Sequence, residues 1–346
     1  MTGKKLIVWY DVNKRDLPWR NTLNPYLIWI SEVILQQTRV VQGLDYYRRF
    51  VEQFPDIFSL ADADVDEVLK IWQGLGYYSR ARNMHAAARH ILIMYKGQFP
   101  STYEELISIR GIGDYTASAI ASIAFGQATP VIDGNVNRVI ARLFGIQEPI
   151  DQSGGKKLIR RYAEELMVAE SPGTYNQAIM EFGALHCTPR RPDCGNCVLK
   201  DVCAAYAKDL VDMLPIKSKS PVLKTRYFHY LVITCGDCTY IQHRSDGDIW
   251  AGLYEFPMIE TGEAATLDEL SSSDKWQLLF KGQIPHFRTI SSEWVHRLTH
   301  RILKIRFYEI SVDQPICMQD WIETEWKDIH QYAIHKVIDT YLENRT

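Results

Sequence analysis

Four cysteines within seventeen residues restrict most strongly what this chain can fold into. Intervals of six, two and five residues separate Cys187, Cys194, Cys197 and Cys203. The N-terminus lacks the features of a signal peptide, and no apolar run approaches the roughly 20 residues of a membrane span. We therefore expect a cytoplasmic protein without a membrane segment, in which cysteines stay reduced. A compact set of four reduced cysteines indicates a metal centre.

The spacing of these cysteines bears on which metal they hold. Only Cys194 and Cys197 form a close pair, whereas zinc sites usually combine two close pairs. Four thiolates also hold a [4Fe–4S] cluster, which this spacing favours, and zinc remains the alternative. The purely structural alternative is that the metal only stabilises the C-terminal end of the helical part of the chain, residues 1–207.

Two textures divide the 346 residues, a length that suits two or three domains. Residues 64–75, 80–95 and 156–170 repeat apolar side chains with the 3.6-residue period of a helix, so residues 1–207 are expected to be mostly helical. Residues 226–235, 239–244 and 301–310 are rich in aromatic and β-branched side chains and predict strands. Residues 326–344 predict a closing helix.

A linker and a change in charge separate the two textures. Residues 213–225 contain two prolines, two serines and three lysines, a composition typical of linkers. Residues 1–220 carry 26 Lys and Arg against 24 Asp and Glu, and the remainder carries 13 against 18. The first part can therefore bind nucleic acid through local basic patches, although charge alone does not establish it.

The cysteines of the second part carry a weaker signal. Cys235 and Cys238 flank a Gly-Asp pair between two predicted strands, so a β-hairpin turn is favoured over a redox pair. Cys317 stands alone. His186, next to Cys187, is expected to be a packed histidine because four thiolates are already available.

One carboxylate interrupts the apolar stretch YLIWISEVILQQT, residues 26–38. On a helix, Glu32 has Ile28, Trp29 and Leu35 as neighbours along one face. Burial among them would raise the pKa of Glu32 and suit it to act as a general acid near neutral pH. A half-exposed glutamate at the edge of the helix is the alternative.

A helix, a Gly-x-Gly turn and a second helix are predicted over residues 106–124. Gly111 and Gly113 permit a tight backbone, and the free N–H groups of the second helix can face a phosphate, although an ordinary helical hairpin is the alternative. Asp133 then follows a short apolar stretch and precedes another helix. By itself Asp133 is equally well explained as a helix N-cap.

Taken together, these pieces resemble the helix-hairpin-helix DNA glycosylases. LPWR (17–20), SEVILQQT (31–38), GLGYYSRARN (74–83) and DGNVNRV (133–139) are similar to the MutY type of A/G-specific adenine DNA glycosylases. The resemblance implies a multidomain protein: an all-α helix-hairpin-helix glycosylase core with an iron–sulfur cluster, followed by an α+β Nudix-like C-terminal domain.

The resemblance also implies domain boundaries. A six-helix barrel lobe with the helix-hairpin-helix spans 16–130, and a cluster lobe combines 1–15 with 131–207. A linker then covers 208–224, and the Nudix-like domain covers 225–346. In the last domain WAGLYEFP (250–257) matches the family pattern. No acidic R-E-x-x-E-E helix follows Gly262, so nucleotide hydrolysis is not expected.

The implied reaction is hydrolysis of the N-glycosidic bond of adenine mispaired with 8-oxoguanine or guanine in double-stranded DNA. Glu32 would be the general acid and Asp133 would stabilise the oxocarbenium-like sugar, with support from Tyr115 and Asn135. Tyr115 stands where the endonuclease III type has its Schiff-base lysine, and Asn137 stands where some adenine glycosylases have lysine. A monofunctional glycosylase is therefore expected, and it is expected to act as a monomer.

The family pattern assigns further residues to the DNA. Trp19, Arg20 and Gln177 would line the adenine pocket, and Gly111 and Gly113 would meet the backbone. Four residues would contact the opened duplex, two of them (Gln37 and Tyr77) as wedges: Gln37, Thr38, Leu75 and Tyr77. Thr299 and His300, in a turn that has Leu298 where relatives often have phenylalanine, would read 8-oxoguanine.

Two other functions compete with this one. An endonuclease III-like glycosylase and lyase for oxidised pyrimidines is the enzymatic alternative, which Tyr115 argues against. A DNA-binding iron–sulfur module that senses redox state is the non-enzymatic alternative. The presence of both Glu32 and Asp133 argues against that module.

Overall fold

A computed structural model describes residues 2–218, 223–281 and 283–345. The chain forms two compact units: Met1–Asp62 with Asn83–Lys219, and Ala63–Arg82 with Ser220–Thr346. Part of the predicted linker, residues 219–222, lies outside the described residues. Within the described part of the chain, no helix is both long and apolar enough to cross a membrane.

Helices form nearly all of the regular structure before residue 208. They are α1 (Thr2–Asn13), α2 (Pro25–Ile34), α3 (Val40–Gln53), α4 (Ile57–Asp62), α5 (Val65–Trp72), α6 (Ser79–Tyr95), α7 (Tyr103–Ser108), α8 (Asp114–Phe125), α9 (Gly134–Phe144), α10 (Ser153–Leu166), α11 (Pro172–Leu185) and α12 (Ala204–Ala207), with short 3-10 helices at Pro18–Arg20 and Lys200–Val202. The helical texture predicted for residues 1–207 is confirmed.

The first unit is built around three close helix pairs. Helix α2 packs on α8, and α11 packs on both α1 and α9. Fully buried aromatic side chains, among them Trp29, Phe50, Tyr175 and Phe182, fill its interior. Gly183 permits the approach of α11 to α9, because a Cβ there would lie 2.7 Å from the Cβ of Asn135.

Strands dominate the chain from residue 224 onward. They are β1 (Lys224–Cys235), β2 (Cys238–His243), β3 (Tyr254–Glu255), β4 (Met258–Thr261), β5 (His286–Ile290), β6 (Trp294–Arg297), β7 (Arg301–Ser311) and β8 (Trp321–Glu325); the helices are α13 (Leu267–Ser271), α14 (Asp274–Leu279), a 3-10 helix (Trp326–Gln331) and α15 (Lys336–Asn344). The three predicted strands coincide with β1, β2 and β7.

One mixed eight-stranded sheet organises the second unit. Its centre is the parallel pair β1 and β7, from which the order runs β3-β2-β1-β7-β5, and β4, β6 and β8 add to β1, β7 and β2. Both faces of the central strands are buried. One face packs on α15 and the other on α13 and α14. Such coverage is expected, because parallel strands are rarely left open to water.

Residues 63–82 belong to this second unit. The Tyr254 hydroxyl donates to Asp66 over 2.7 Å, and the Lys70 ammonium donates to the Tyr332 carbonyl oxygen over 3.1 Å. The Arg82 guanidinium donates to the carbonyl oxygen of Ala251. These bonds tie α5 and its flanks to the strand-rich part, although the two are far apart along the chain.

The prediction of one continuous closing helix over 326–344 is wrong. Residues 326–331 form the 3-10 helix, residues 332–335 are extended or bridged, and α15 begins at Lys336. The Tyr254 N–H donates to the Ala333 carbonyl oxygen over 2.8 Å, and Tyr254 pairs with Ile334. Tertiary pairing with β3 thus overrides the local helical preference.

The Cys-x-x-C stretch forms the predicted hairpin turn. Cys235 ends β1 and lies opposite Cys238, the first residue of β2. The two-residue connection uses Gly236 with a φ of +56°, as tight hairpins require.

Candidate active site

The carboxylate of the apolar stretch is buried. Glu32 lies on α2 with 7 % of its surface exposed, which contradicts the half-exposed alternative. The hydroxyl of Tyr115, on α8, donates a short hydrogen bond to Glu32 Oε2. Burial raises the pKa of Glu32 to about 7, although the Tyr115 hydrogen bond works in the opposite direction. A carboxyl group with this pKa can supply a proton near neutral pH.

Asp133 is a helix cap as well as a neighbour of Glu32. It is the N-cap of α9, where its Oδ1 accepts from the Val136 N–H over 2.7 Å. The Asn135 amide donates to Oδ2 over 2.9 Å. Burial raises the pKa of Asp133, whereas these hydrogen bonds lower it. Burial outweighs these hydrogen bonds, so the pKa of Asp133 is raised overall, and the hydrogen bonds limit the rise. The negative charge of Asp133 in turn raises the pKa of Glu32.

The three predicted adenine-pocket residues come from two elements of the first unit. Trp19 and Arg20 lie in the 3-10 helix before α2, and Gln177 lies on α11. Trp19 is buried with its ring 5.1 Å from that of Tyr47. Arg20 is close enough to Glu32 for its charge to lower the pKa of that carboxyl. Arg20 therefore belongs to the same site as Glu32.

Both predicted wedge residues have left-handed backbones and exposed side chains. Gln37 has a φ of +57° and Tyr77 a φ of +48°, conformations that non-glycine residues rarely adopt. Such strain is more common at ligand-binding sites than elsewhere. Thr38 is half-buried beside Gln37. Leu75, in the second unit, is buried rather than presented to solvent.

The glycine turn is open on one side and tight on the other. Gly111 has a φ of +99°, and a Cβ there would lie 2.8 Å from the Asn83 carbonyl oxygen. Gly113 caps the twelve-residue α8 and has no atom within 4 Å of an added Cβ. Its surroundings leave room for an anion at the start of α8.

The four clustered cysteines line a single cavity. Cys187, Cys194, Cys197 and Cys203 are unpaired thiols around it. Among the described residues, no three His, Cys, Asp or Glu side chains converge on a point that would hold a single ion. A zinc ion needs its ligands about 2.3 Å from one centre, whereas a cluster takes one thiolate at each iron. The donor set fits an iron–sulfur cluster.

Two buried arginines of α9 hold the backbone around these cysteines. Arg142 donates to the Thr188 and Leu214 carbonyl oxygens and lies 3.5 Å from Cys187 Sγ. Arg138 donates to the carbonyl oxygen of Cys187 over 2.8 Å and to Asn135 Oδ1 over 2.9 Å. Asn135, which donates to Asp133, is therefore linked to the cysteine segment through the side chain of Arg138.

We expect the purified protein to be yellow-brown, with about four irons per chain and little zinc. Anaerobic metal analysis with the absorption spectrum measures both. Changing Cys194 to serine should lower the iron content, whereas changing Cys317, which is remote in sequence and exposed, should not. One zinc and no iron per chain would contradict the cluster.

In the second unit, the turn from β6 to β7 carries the residues predicted to read the lesion. Thr299 and His300 are exposed, and the Leu298 N–H donates to the Arg301 carbonyl oxygen over 2.9 Å. Leu298 packs on the core between the sheet and α15. The Thr299 hydroxyl lies 2.8 Å from the hydroxyl of Tyr77. Two residues predicted to meet DNA are thus in contact.

Glu181 is a buried residue near the site that our sequence reasoning missed. It is 1 % exposed and holds both Arg15 and Arg20. Burial raises its pKa, but the hydrogen bonds from these arginines outweigh burial and lower it to about 2. A carboxylate in the apolar stretch QAIMEFGAL is the same signal that singled out Glu32.

Three family profiles match consecutive parts of the chain. The HhH-GPD superfamily of base excision DNA repair proteins matches residues 30–166. The iron–sulfur binding domain of endonuclease III matches 187–203, and a NUDIX domain matches 229–344. Residues 187–203 therefore hold a [4Fe–4S] cluster, and the predicted multidomain fold is confirmed.

Whole-chain relatives and solved structures agree with these profiles. The chain is 34% identical to an adenine DNA glycosylase of Mus musculus, over 89% of this chain and 70% of that protein. It is 32% identical to one of Buchnera aphidicola, over 94% and 90%. A thermostable thymine-DNA glycosylase structure matches with 28% identity and a TM-score of 0.55, over 60% and 95%. An endonuclease III–DNA complex has a similar fold, with 22% identity and a TM-score of 0.51, over 60% and 94%.

Proposed function

The chain belongs to the adenine DNA glycosylase family, and we propose that it excises adenine paired with 8-oxoguanine or guanine from double-stranded DNA. It is a hydrolytic DNA glycosylase of base-excision repair. The observation that carries the finer proposal is one buried acid, Glu32, near a hydrogen-bonded carboxylate, Asp133. Two carboxyl groups with separated protonation states are what glycosidic hydrolysis needs.

The two carboxyl groups divide the reaction. Adenine first leaves the stack, because the bond to be broken is inaccessible inside the duplex. Glu32 donates its proton to adenine N7 while the bond from N9 to the sugar breaks, and the bonding electrons leave with the base. Asp133 stabilises the positive charge that develops on the sugar. Water then attacks the sugar carbon that was bonded to N9 and gives a proton to Glu32, which restores the acid.

Tyr115 supports a reaction that stops at the abasic site. Its hydroxyl is bonded to Glu32 and offers no amine, so no Schiff base forms with the sugar at this position. The strand is left intact. In this respect the proposed activity differs from that of a glycosylase that is also a lyase.

The pH dependence of excision tests the acid role. The protonated form of Glu32 is required, so the single-turnover rate should fall about tenfold for each pH unit above about 7. Tyr115→Phe removes a hydrogen bond that lowers this pKa. The falling limb of the pH–rate profile, the part above about pH 7, should therefore move to higher pH. Tyr103→Phe removes the hydroxyl bonded to Asp114 instead and should leave the limb in place. A limb that does not move in Tyr115→Phe would contradict the assignment.

A panel of duplexes tests the function as a whole. Single-turnover assays would compare A:8-oxoguanine, A:G and thymine glycol, each with and without borohydride. We expect adenine release from the first two, no action on thymine glycol and no trapped adduct. Release of thymine glycol with trapping would support the lyase alternative. Tight binding without any base release would support the DNA-binding module.

We propose that the turn at 298–300 reads 8-oxoguanine. Its exposed Thr299 and His300 offer hydrogen-bonding groups, and the bond from Thr299 to Tyr77 holds the turn beside a wedge residue. Leu298 packs on the core, so its part is to anchor the turn rather than to stack on a base. Residues 63–82 share a compact unit with this turn, so point substitutions test it more cleanly than deletion of residues 222–346.

Thr299→Ala combined with His300→Ala should weaken discrimination more than chemistry. Contacts of this kind are worth about 1–3 kcal/mol, so the preference for A:8-oxoguanine over A:G should fall about 5- to 150-fold. Single-turnover rates and affinities on the two duplexes measure it. Thr289→Ala with His286→Ala, both exposed on β5, is the matched control. An unchanged preference would mean that other residues read the lesion.

A further inference from the structure

The Tyr10 hydroxyl fixes the orientation of the Gln177 amide, one of the predicted adenine-pocket residues. Tyr10, on α1, is 3 % exposed, and its hydroxyl donates to Gln177 Oε1 over 2.6 Å. That bond sets which end of the amide faces which way. Within the described residues, Gln177 Nε2 has no hydrogen-bond partner. Gln177 therefore keeps two N–H donors that are not yet used.

One carboxylate fixes two guanidinium groups in the same way. Glu181 Oε1 accepts from Arg15 Nε over 2.8 Å, and Glu181 Oε2 accepts 2.6 Å bonds from Arg15 Nη2 and Arg20 Nη2. The Arg20 side chain is only 11% exposed, and its Nη1 is buried without a partner in the described structure. A buried N–H group without a partner is costly and calls for a ligand or water.

The Tyr10 hydroxyl and the Glu181 carboxylate act on neighbouring side chains. Gln177 and Glu181 are four residues apart on α11, so they lie on the same face of that helix, one turn apart. The Arg20 guanidinium lies 5.3 Å from the centre of the Tyr10 ring. Tyr10 thus contacts Gln177 through its hydroxyl and Arg20 through its ring. Two nitrogen atoms with unused N–H groups, Gln177 Nε2 and Arg20 Nη1, thus belong to side chains whose orientation is fixed by Tyr10 and Glu181.

We propose that Tyr10 and Glu181 are positioning residues, which hold Gln177 and Arg20 so that their free N–H groups meet ring nitrogens of the flipped adenine. The proposal rests on adenine being the excised base. Adenine N1 and N3 are lone-pair acceptors, and neither takes the proton that Glu32 delivers to N7. A pocket that meets these atoms with donors gains contacts that analogues without the nitrogens lose.

Base analogues turn this geometry into a measurement. 1-Deazaadenine and 3-deazaadenine each replace one ring nitrogen by C–H and keep N7. Single-turnover excision opposite 8-oxoguanine gives the rate on adenine divided by the rate on each analogue, which we call the analogue ratio. Intrinsic differences in base lability cancel when the ratio is compared between protein variants.

Tyr10→Phe and Glu181→Gln are the test variants. At nearly constant shape, Tyr10→Phe removes the hydroxyl that holds Gln177, and Glu181→Gln removes the negative charge and one of the two oxygens that hold the arginines. Each variant should lower at least one analogue ratio about tenfold, the equivalent of one lost hydrogen bond to a charged or oriented donor. Tyr26→Phe loses an equally short buried bond, from its hydroxyl to the Phe54 carbonyl oxygen. Glu255→Gln weakens an equally buried clamp, on Arg244 in the second unit. Both controls should keep the wild-type ratios.

The outcomes separate positioning from structure. If Tyr10→Phe and Glu181→Gln lower the rates on adenine and on both analogues equally, their roles are structural and the proposal fails. If one variant does not fold, judged by iron content and circular dichroism, the other decides. A wild-type protein that releases no adenine would overturn the proposed function instead, before any ratio is compared.

Discussion

Glu32→Gln is expected to abolish adenine excision and to leave binding to the mispaired duplex largely intact. Glutamine keeps the shape of the buried side chain and can still accept the Tyr115 hydrogen bond, but it cannot act as the acid. General acid catalysis contributes about 100- to 10,000-fold, and we expect the single-turnover rate to fall toward the upper end of that range. Rapid-quench assays and a filter-binding titration measure the two quantities.

The matched control is Glu165→Gln, at an exposed position of α10 in the same unit, which should leave the rate unchanged. A rate for Glu32→Gln within about tenfold of wild type, or about 1.4 kcal/mol of barrier, would remove Glu32 from the acid role. Loss of binding together with excision would mean instead that the variant had lost its fold.

Asp133→Asn should have the second largest effect, a fall of about 1,000-fold in the single-turnover rate. Asparagine is as good an N-cap as aspartate, so α9 should keep its first turn. What is lost is the negative charge opposite the sugar cation. Single-turnover excision, with the melting temperature measured in parallel, separates the lost charge from any loss of the helix cap.

Asp56→Asn provides the comparison for this variant. The carboxylate of Asp56 also accepts a backbone N–H at the start of a helix, from Ser59 over 2.8 Å, but it lies outside the proposed site. It should keep the wild-type rate. Excision by Asp133→Asn at a rate near that of wild type would reduce Asp133 to its capping role.

The parts predictable from sequence are those that depend on neighbours along the chain. The period of apolar side chains located the helices, and the isolated carboxylate among them located Glu32. The broken helix at 332–335 escaped prediction because its cause is pairing with Tyr254, far away in sequence. Glu181 carried a local signal that we did not read. The grouping of residues 63–82 with the strands depends on long-range bonds with no sequence signature.

The raised pKa of Glu32 also has a consequence for the folding equilibrium. The unfolded chain would release this proton near the ordinary value of 4.5, whereas the folded protein holds it until about pH 7. The folded state therefore binds more protons between these values, and the free energy of unfolding falls as the pH rises through that interval. The loss approaches about 3 kcal/mol at higher pH, a large share of the stability of an ordinary domain. A neutral glutamine does not undergo this loss. At alkaline pH the inactive Glu32→Gln protein should therefore lose less of its free energy of unfolding than the active wild type.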